Sequence, residues 1–194
     1  MKKEEIIESA RELFNQYGYK KVSMGEIAEN ANVTKRTLYS YFKDKDEILK
    51  YFIEEEIDNM KEIIKEIEKE NLPFIENVHK TILKVFEYKK KKPFIKVLTQ
   101  EYEKLRNKTI DEQLKLLDKN IQDYIREKLI YAVENGYIKN CDIDVVSFII
   151  YKIYIALIFE WDTDKKELDE KKITDNIMQV LRYGIFTEKS DLPK

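Results

Sequence analysis

The chain has 194 residues, 43% of them hydrophobic and 38% charged, which excludes a disordered tail and a membrane-embedded protein alike. Its 36 basic and 38 acidic side chains leave a net charge of -2, so a chain-wide cationic coat is excluded while a local basic patch is not. One cysteine, Cys141, and one histidine, His79, rule out an internal disulfide, a cysteine-based metal cluster and a histidine-rich metal site, and four scattered glycines rule out a phosphate loop. No cofactor or metal is implied, the roles of His79 and Cys141 stay open, and the lone thiol suits a reducing cytosol.

The start, Met1-Lys-Lys-Glu-Glu, leads straight into an amphipathic pattern without the apolar core or cleavage site of a signal peptide, so a cytoplasmic protein is expected. Ile6, Ile7, Ala10, Leu13, Phe14 and Tyr17 follow helical spacing, and Gly18 suits the end of that helix. Ser23 and Glu26 form a capping box for a short second helix that ends near Ala31-Asn32. Thr34 can cap a third helix to about Tyr41, and Asp44 with Glu47 makes another box for a long fourth helix to about Glu70. Pro73 and Pro93 sit where helices can begin. Thr109-Ile-Asp-Glu112 caps a long segment that is helical by spacing and closes at Gly136. Asp142 can cap the apolar helix that follows, and a last helix runs from about Glu170 to Phe186. The expected fold is all-α, with about nine helices. Val145 to Trp161 is the most apolar stretch, but it holds Lys152 and Glu160 and falls short of the roughly 20 apolar residues of a membrane span, so it reads as a buried helix.

The informative stretch is residues 23 to 45. A short helix, a three-residue turn and a second short helix make helix-turn-helix geometry. Ile27, Val33, Leu38 and Phe42 can pin the helices together, and Ala28 lets them cross closely. Thr34, Lys35, Arg36, Thr37, Tyr39, Ser40 and Tyr41 then divide between packing and a solvent face. Their hydroxyls and cations are donors to phosphate oxygens and base edges. From Val33 to Lys45 the basic residues Lys35, Arg36, Lys43 and Lys45 outnumber the single acid Asp44, a local excess of +3. Lys43 and Lys45 lie near the start of the fourth helix, where free amides favour a phosphate.

The first 50 residues resemble the N-terminal domain of the TetR/AcrR family of bacterial transcriptional regulators. The matching residues are Ile7, Ala10, Leu13, Phe14, Gly18 and Tyr19, then Ser23, Ile27, Ala28, Ala31, Val33, Thr34, Lys35, Thr37, Leu38, Tyr39, Tyr41, Phe42, Lys45, Ile48 and Leu49, spaced without a gap. Asn32 and Arg36 stand where the family usually has glycine. The resemblance implies a helix-turn-helix DNA-binding domain over residues 1–46 and a helical ligand-binding and dimerisation domain over residues 47–194. It implies DNA contacts from Thr34, Lys35, Arg36, Thr37, Tyr39, Ser40 and Tyr41, with Tyr39 and Lys45 as phosphate anchors; Ser23 and Lys43 join the expected contact set. It also implies a homodimer on a palindromic double-stranded operator, with one recognition helix per half-site.

A helix apolar on every face must be buried on every face, so the two last helices are expected to meet a second copy. Phe148, Tyr151, Ile155, Ile177, Leu181 and Ile185 are the expected interface. The aromatic-rich middle can hold an apolar or aromatic small-molecule inducer, with Phe86, Tyr102, Tyr124, Tyr154, Glu160 and Trp161 as candidate lining. The reading is a ligand-responsive repressor and not an enzyme; the alternative is a protein–protein adaptor that keeps the fold without sequence-specific DNA binding.

Overall fold

The computed structural model describes residues 2–91, 94–157 and 169–184. These form nine α-helices, with no strand among the described residues: α1 (Lys2–Tyr17), α2 (Met24–Asn30), α3 (Lys35–Tyr41), α4 (Lys45–Glu68), α5 (Phe74–Lys91), α6 (Phe94–Leu105), α7 (Lys108–Glu134), α8 (Ile143–Ile155) and α9 (Glu170–Gly184). No described helix is long and apolar enough to cross a membrane.

The helix ends follow from capping chemistry. Gly18 closes α1 at φ 84°, a left-handed conformation that suits glycine. At α2 the Ser23 hydroxyl accepts from the Glu26 amide (3.3 Å), and the Glu26 carboxylate accepts from the Ser23 amide (2.7 Å). Asn32 takes the left-handed turn at φ 51°. Thr34 caps α3 through the Thr37 amide (3.1 Å), and Asp142 caps α8 through the Val145 amide (3.1 Å).

Two ends differ from expectation. Asp44 accepts from the Glu47 amide (2.9 Å), but the Glu47 carboxylate reaches past it to the Lys43 amide (2.6 Å), so the box is not reciprocal. The cap of α7 is Asn107, which accepts from the Ile110 amide (3.1 Å), and not Thr109, which stands inside the helix and donates to Asp46 (3.1 Å). The expected end of the last helix at Phe186 lies outside the described residues.

The chain makes two compact units, Met1–Ile57 with Lys92–Leu117, and Asp58–Lys91 with Asp118–Lys194. The expected division after residue 46 falls inside the first unit. There α6 and the start of α7 join α1–α3 and the first half of α4, because their apolar faces share one core. Ile6, Phe14, Ile27, Leu38, Ile48 and Phe52 are fully buried with Ile95, Leu98 and Ile110. Phe14 stacks on Phe94 at 6.4 Å, and Phe52 meets Phe94 edge-on at 5.3 Å. Removing one such ring costs about 3–5 kcal/mol. The second unit packs Phe74, Leu129, Ala132, Tyr137, Ile138 and Met178 together, with Phe74 stacked on Tyr137 at 4.7 Å.

Candidate nucleic-acid interface

The helix-turn-helix is built on a dry base. Ile27, Ala28, Leu38 and Phe42 are buried, and Val33 is half-buried in the turn between α2 and α3. The two helices approach so closely that a Cβ at Gly25 would stand 3.2 Å from Cε of Lys35. With Leu38 and Phe42 turned inward, Tyr39 (52% exposed) and Tyr41 (42%) project outward beside exposed Lys35, Arg36, Ser40 and Lys43. Tyrosine hydroxyls, a guanidinium and ammoniums on one short exposed helix form a surface that can donate to phosphates and base edges.

Several of the expected contact groups already have local partners. The Thr34 hydroxyl also meets the Thr37 hydroxyl at 2.9 Å. Ser40 Oγ donates to the Thr37 carbonyl at 2.6 Å. Ser23 is exposed, with its hydroxyl 2.7 Å from the Glu26 carboxylate. Lys45 departs furthest from expectation. Its Nζ donates to the carbonyls of Val22 (2.7 Å) and Tyr19 (2.8 Å), and more distantly to that of Lys20 (3.3 Å). Burial lowers the pKa of this ammonium from its ordinary value, against the opposing pull of Glu101, Asp46 and Glu26. A phosphate contact would have to draw Nζ off those carbonyls, so Lys45 reads first as a brace of the α1–α2 loop.

That loop carries a feature the sequence reading missed. Glu101, on α6, accepts hydrogen bonds from the amides of Tyr19 and Lys20, both at 2.6 Å. The partners lie 82 and 81 positions apart in sequence. Tyr19 itself is 3% exposed and donates its hydroxyl to Asp46. Burial, then the Asp46 carboxylate, push the phenol far above its ordinary pKa.

The other candidate sites are placed less uniformly. In the second unit, Phe86 is buried and its ring lies 6.4 Å from that of half-buried Tyr154. Tyr124, in the same unit, lies under the Lys128 ammonium at 5.5 Å. Tyr102 belongs to the first unit, where it lies under Arg106 at 5.3 Å. Glu160 and Trp161 lie outside the described residues.

The residues expected at a dimer surface differ in exposure. Phe148 is exposed, but Tyr151 is 5% exposed and hydrogen-bonded to Asp118, while Ile155, Ile177 and Leu181 are half-buried, Leu181 against the second core. Ile185 lies outside the described residues. The exposed apolar stripe of α8 is Val145, Phe148, Ile149 and Ile153, and α9 adds Val180 and Tyr183. Helical spacing over an all-apolar segment gives no phase, which is why the stripe could not be told from the core side.

The sequence also did not foresee a cleft of about 720 Å³ between α5 and α9, where His79 meets Asp175 at 2.9 Å above Leu83 and Met178. Cys141 is half-buried beside the second core. Among the described residues no group of three His, Cys, Asp or Glu side chains could hold a metal ion.

An all-α chain with two capped short helices on a buried base, and a hydroxyl-rich, cationic face on the second, is a helix-turn-helix DNA-binding protein. Comparison with known proteins agrees. The profile of bacterial regulatory proteins, tetR family, matches residues 6–52. Over 172 residues the chain is 33% identical to YhgD, an uncharacterized HTH-type transcriptional regulator of Bacillus subtilis, spanning 89% of this chain and 90% of that one. The chain belongs to the TetR family of bacterial transcriptional regulators. Two solved structures share its fold. One is a candidate fatty acid metabolism regulator of Clostridium perfringens, at 27% identity over 95% of this chain and 100% of that chain, with a TM-score of 0.74. The other is the transcriptional regulator FadR of Bacillus subtilis in complex with stearoyl-CoA, at 22% identity over 91% of this chain and 96% of that chain, with a TM-score of 0.76.

Proposed function

We propose that the protein is a repressor that binds a palindromic operator as a homodimer and is released by a ligand that carries an apolar acyl chain. The observation that carries the DNA reading is the exposed face of α3, where Tyr39, Tyr41, Lys35 and Arg36 stand on a base of buried Leu38 and Phe42. Ser23, Thr34, Thr37, Ser40 and Lys43 border that face and complete the proposed contact set, with Lys45 bracing it from behind. Residues 1–46 supply the reading head in this proposal, on a base completed by α6 and the start of α7, and the second unit supplies ligand binding and dimerisation.

The stripe of Val145, Phe148, Ile149 and Ile153 supports the dimer, because exposed apolar patches mark interaction sites and a two-fold axis would pair this stripe with itself. The acyl reading is supported by the aromatic pair Phe86 and Tyr154 and by the likeness to the two fatty-acid-related regulators. Release requires the ligand to favour one state of the dimer over the other, typically by about 1–3 kcal/mol.

The test is selection of bound duplexes from a random library, with Tyr39→Ala as control, followed by release with stearoyl-CoA. A palindrome enriched by the wild type, lost in the folded mutant and weakened steeply by salt, is the expected outcome. A folded dimer that enriches no sequence would favour the adaptor reading instead. An operator complex that ignores stearoyl-CoA up to solubility would overturn the acyl assignment alone.

A further inference from the structure

We propose that Glu101 is a positioning residue for DNA binding: its carboxylate on α6 fixes the α1–α2 loop and thereby the orientation of the helix-turn-helix. This rests on the DNA reading above.

The loop's own peptide groups need partners. Once α1 ends at Gly18, the next amides have no helical acceptor behind them. Those of Tyr19 and Lys20 donate to Oε2 and Oε1 of Glu101, both at 2.6 Å. Hydrogen bonds to an ionised acceptor are roughly twice as strong as neutral ones. The loop's carbonyls point to a different helix. Those of Tyr19 and Val22 accept from Lys45 at 2.8 and 2.7 Å. One short segment is thus held along its amide edge by an anion from α6 and along its carbonyl edge by a cation from α4. Neither ion comes from the helix-turn-helix.

The fit is close on both sides. A Cβ at Gly18 would stand 2.7 Å from Oε2 of Glu101, so the carboxylate is seated directly against the loop backbone. Tyr19, under the Lys45 ammonium at 4.5 Å, donates to Asp46, which also accepts from Thr109 at the start of α7. The α2 helix starts at Met24, two residues after the Val22 carbonyl that Lys45 holds, and α3 is locked to α2 by Ile27, Ala28 and Leu38. The pitch of the reading face therefore follows the loop.

Glu101 lies on the stretch of chain that returns to the first unit. The stretch that carries α6 enters the first unit from the second at residue 92 and leaves it again at 117, within α7.

The test compares the full-length wild type with Glu101→Gln, an isosteric change that replaces one amide acceptor by a donor, and with Glu103→Gln, an exposed acid on the same helix. Affinity is measured by anisotropy for the selected operator and for a scrambled duplex of equal length. Amide exchange is followed at Tyr19 and Lys20. In Glu101→Gln we expect faster exchange at both amides, operator affinity lower by about tenfold, and scrambled-duplex affinity unchanged, since phosphate attraction does not depend on orientation. Glu103→Gln should match the wild type.

A merely structural role would lower both affinities together, in step with the folded fraction measured by thermal unfolding, and that result overturns the proposal. So does an unchanged operator-to-scrambled ratio. A wild type that distinguishes no duplex from any other overturns the DNA reading itself, which separates the two failures.

Discussion

At the scale of single residues, the electrostatics of the second unit make a pH prediction. Burial raises the pKa of Asp118, while the hydrogen bond with Tyr151 and the charge of Lys152 oppose the rise. A carboxyl whose pKa is higher folded than unfolded adds stability below the unfolded value and loses it as pH climbs through the folded one. Asn at this position keeps an oxygen for Tyr151 and has no charge to desolvate. The melting temperature of Asp118→Asn should therefore exceed that of the wild type by a margin that widens between about pH 3 and about pH 7. A margin that stays flat or narrows over that range would show that the carboxylate is better solvated than its burial implies. Tyr151 could not have been placed beside Asp118 from sequence, since the two lie on different helices and only packing brings them together.

At the scale of elements, what was legible was what is local. Caps at Ser23, Thr34 and Asp142 depend on four consecutive positions, and the turn at Asn32 on one. The α7 cap moved from Thr109 to Asn107 because both residues can cap, and the contact of Thr109 with Asp46 is invisible to spacing. The face of α3 was legible for the same reason: Leu38 and Phe42 are one turn apart and leave Tyr39 and Tyr41 outside. The phase of α8 was not, because its apolar residues surround the helix. The observed stripe makes its own prediction. Phe148→Glu puts a charge in the middle of it, beside Ile149, and should leave a folded monomer by sedimentation with operator affinity lost. Unchanged sedimentation would move the dimer contact elsewhere.

At the scale of the whole molecule, the two compact units do not follow the order of the chain. Three crossings separate them, after residues 57, 91 and 117. A sequence reading cuts a chain into consecutive pieces, so it assigned α6 to the ligand domain, although Phe94, Ile95 and Leu98 complete the core beneath the helix-turn-helix. It follows that a fragment of residues 1–46 should show little helix by circular dichroism, because it lacks Phe52, Phe94 and Leu98 against which Phe14 packs or shares a core. A cooperative thermal transition in that fragment would contradict the shared core.

The interleaving of the two units bears on how such regulators exchange specificities. A head that could be cut at one point would be portable: splice it to another sensor and a new regulator results. Here the graft needs a second piece, residues 92–117, carried over from the middle of this chain. Domain shuffling by a single recombination event would therefore yield a head with a hole in its base, and new operator preferences are more easily reached by changing side chains on α3 than by trading whole modules.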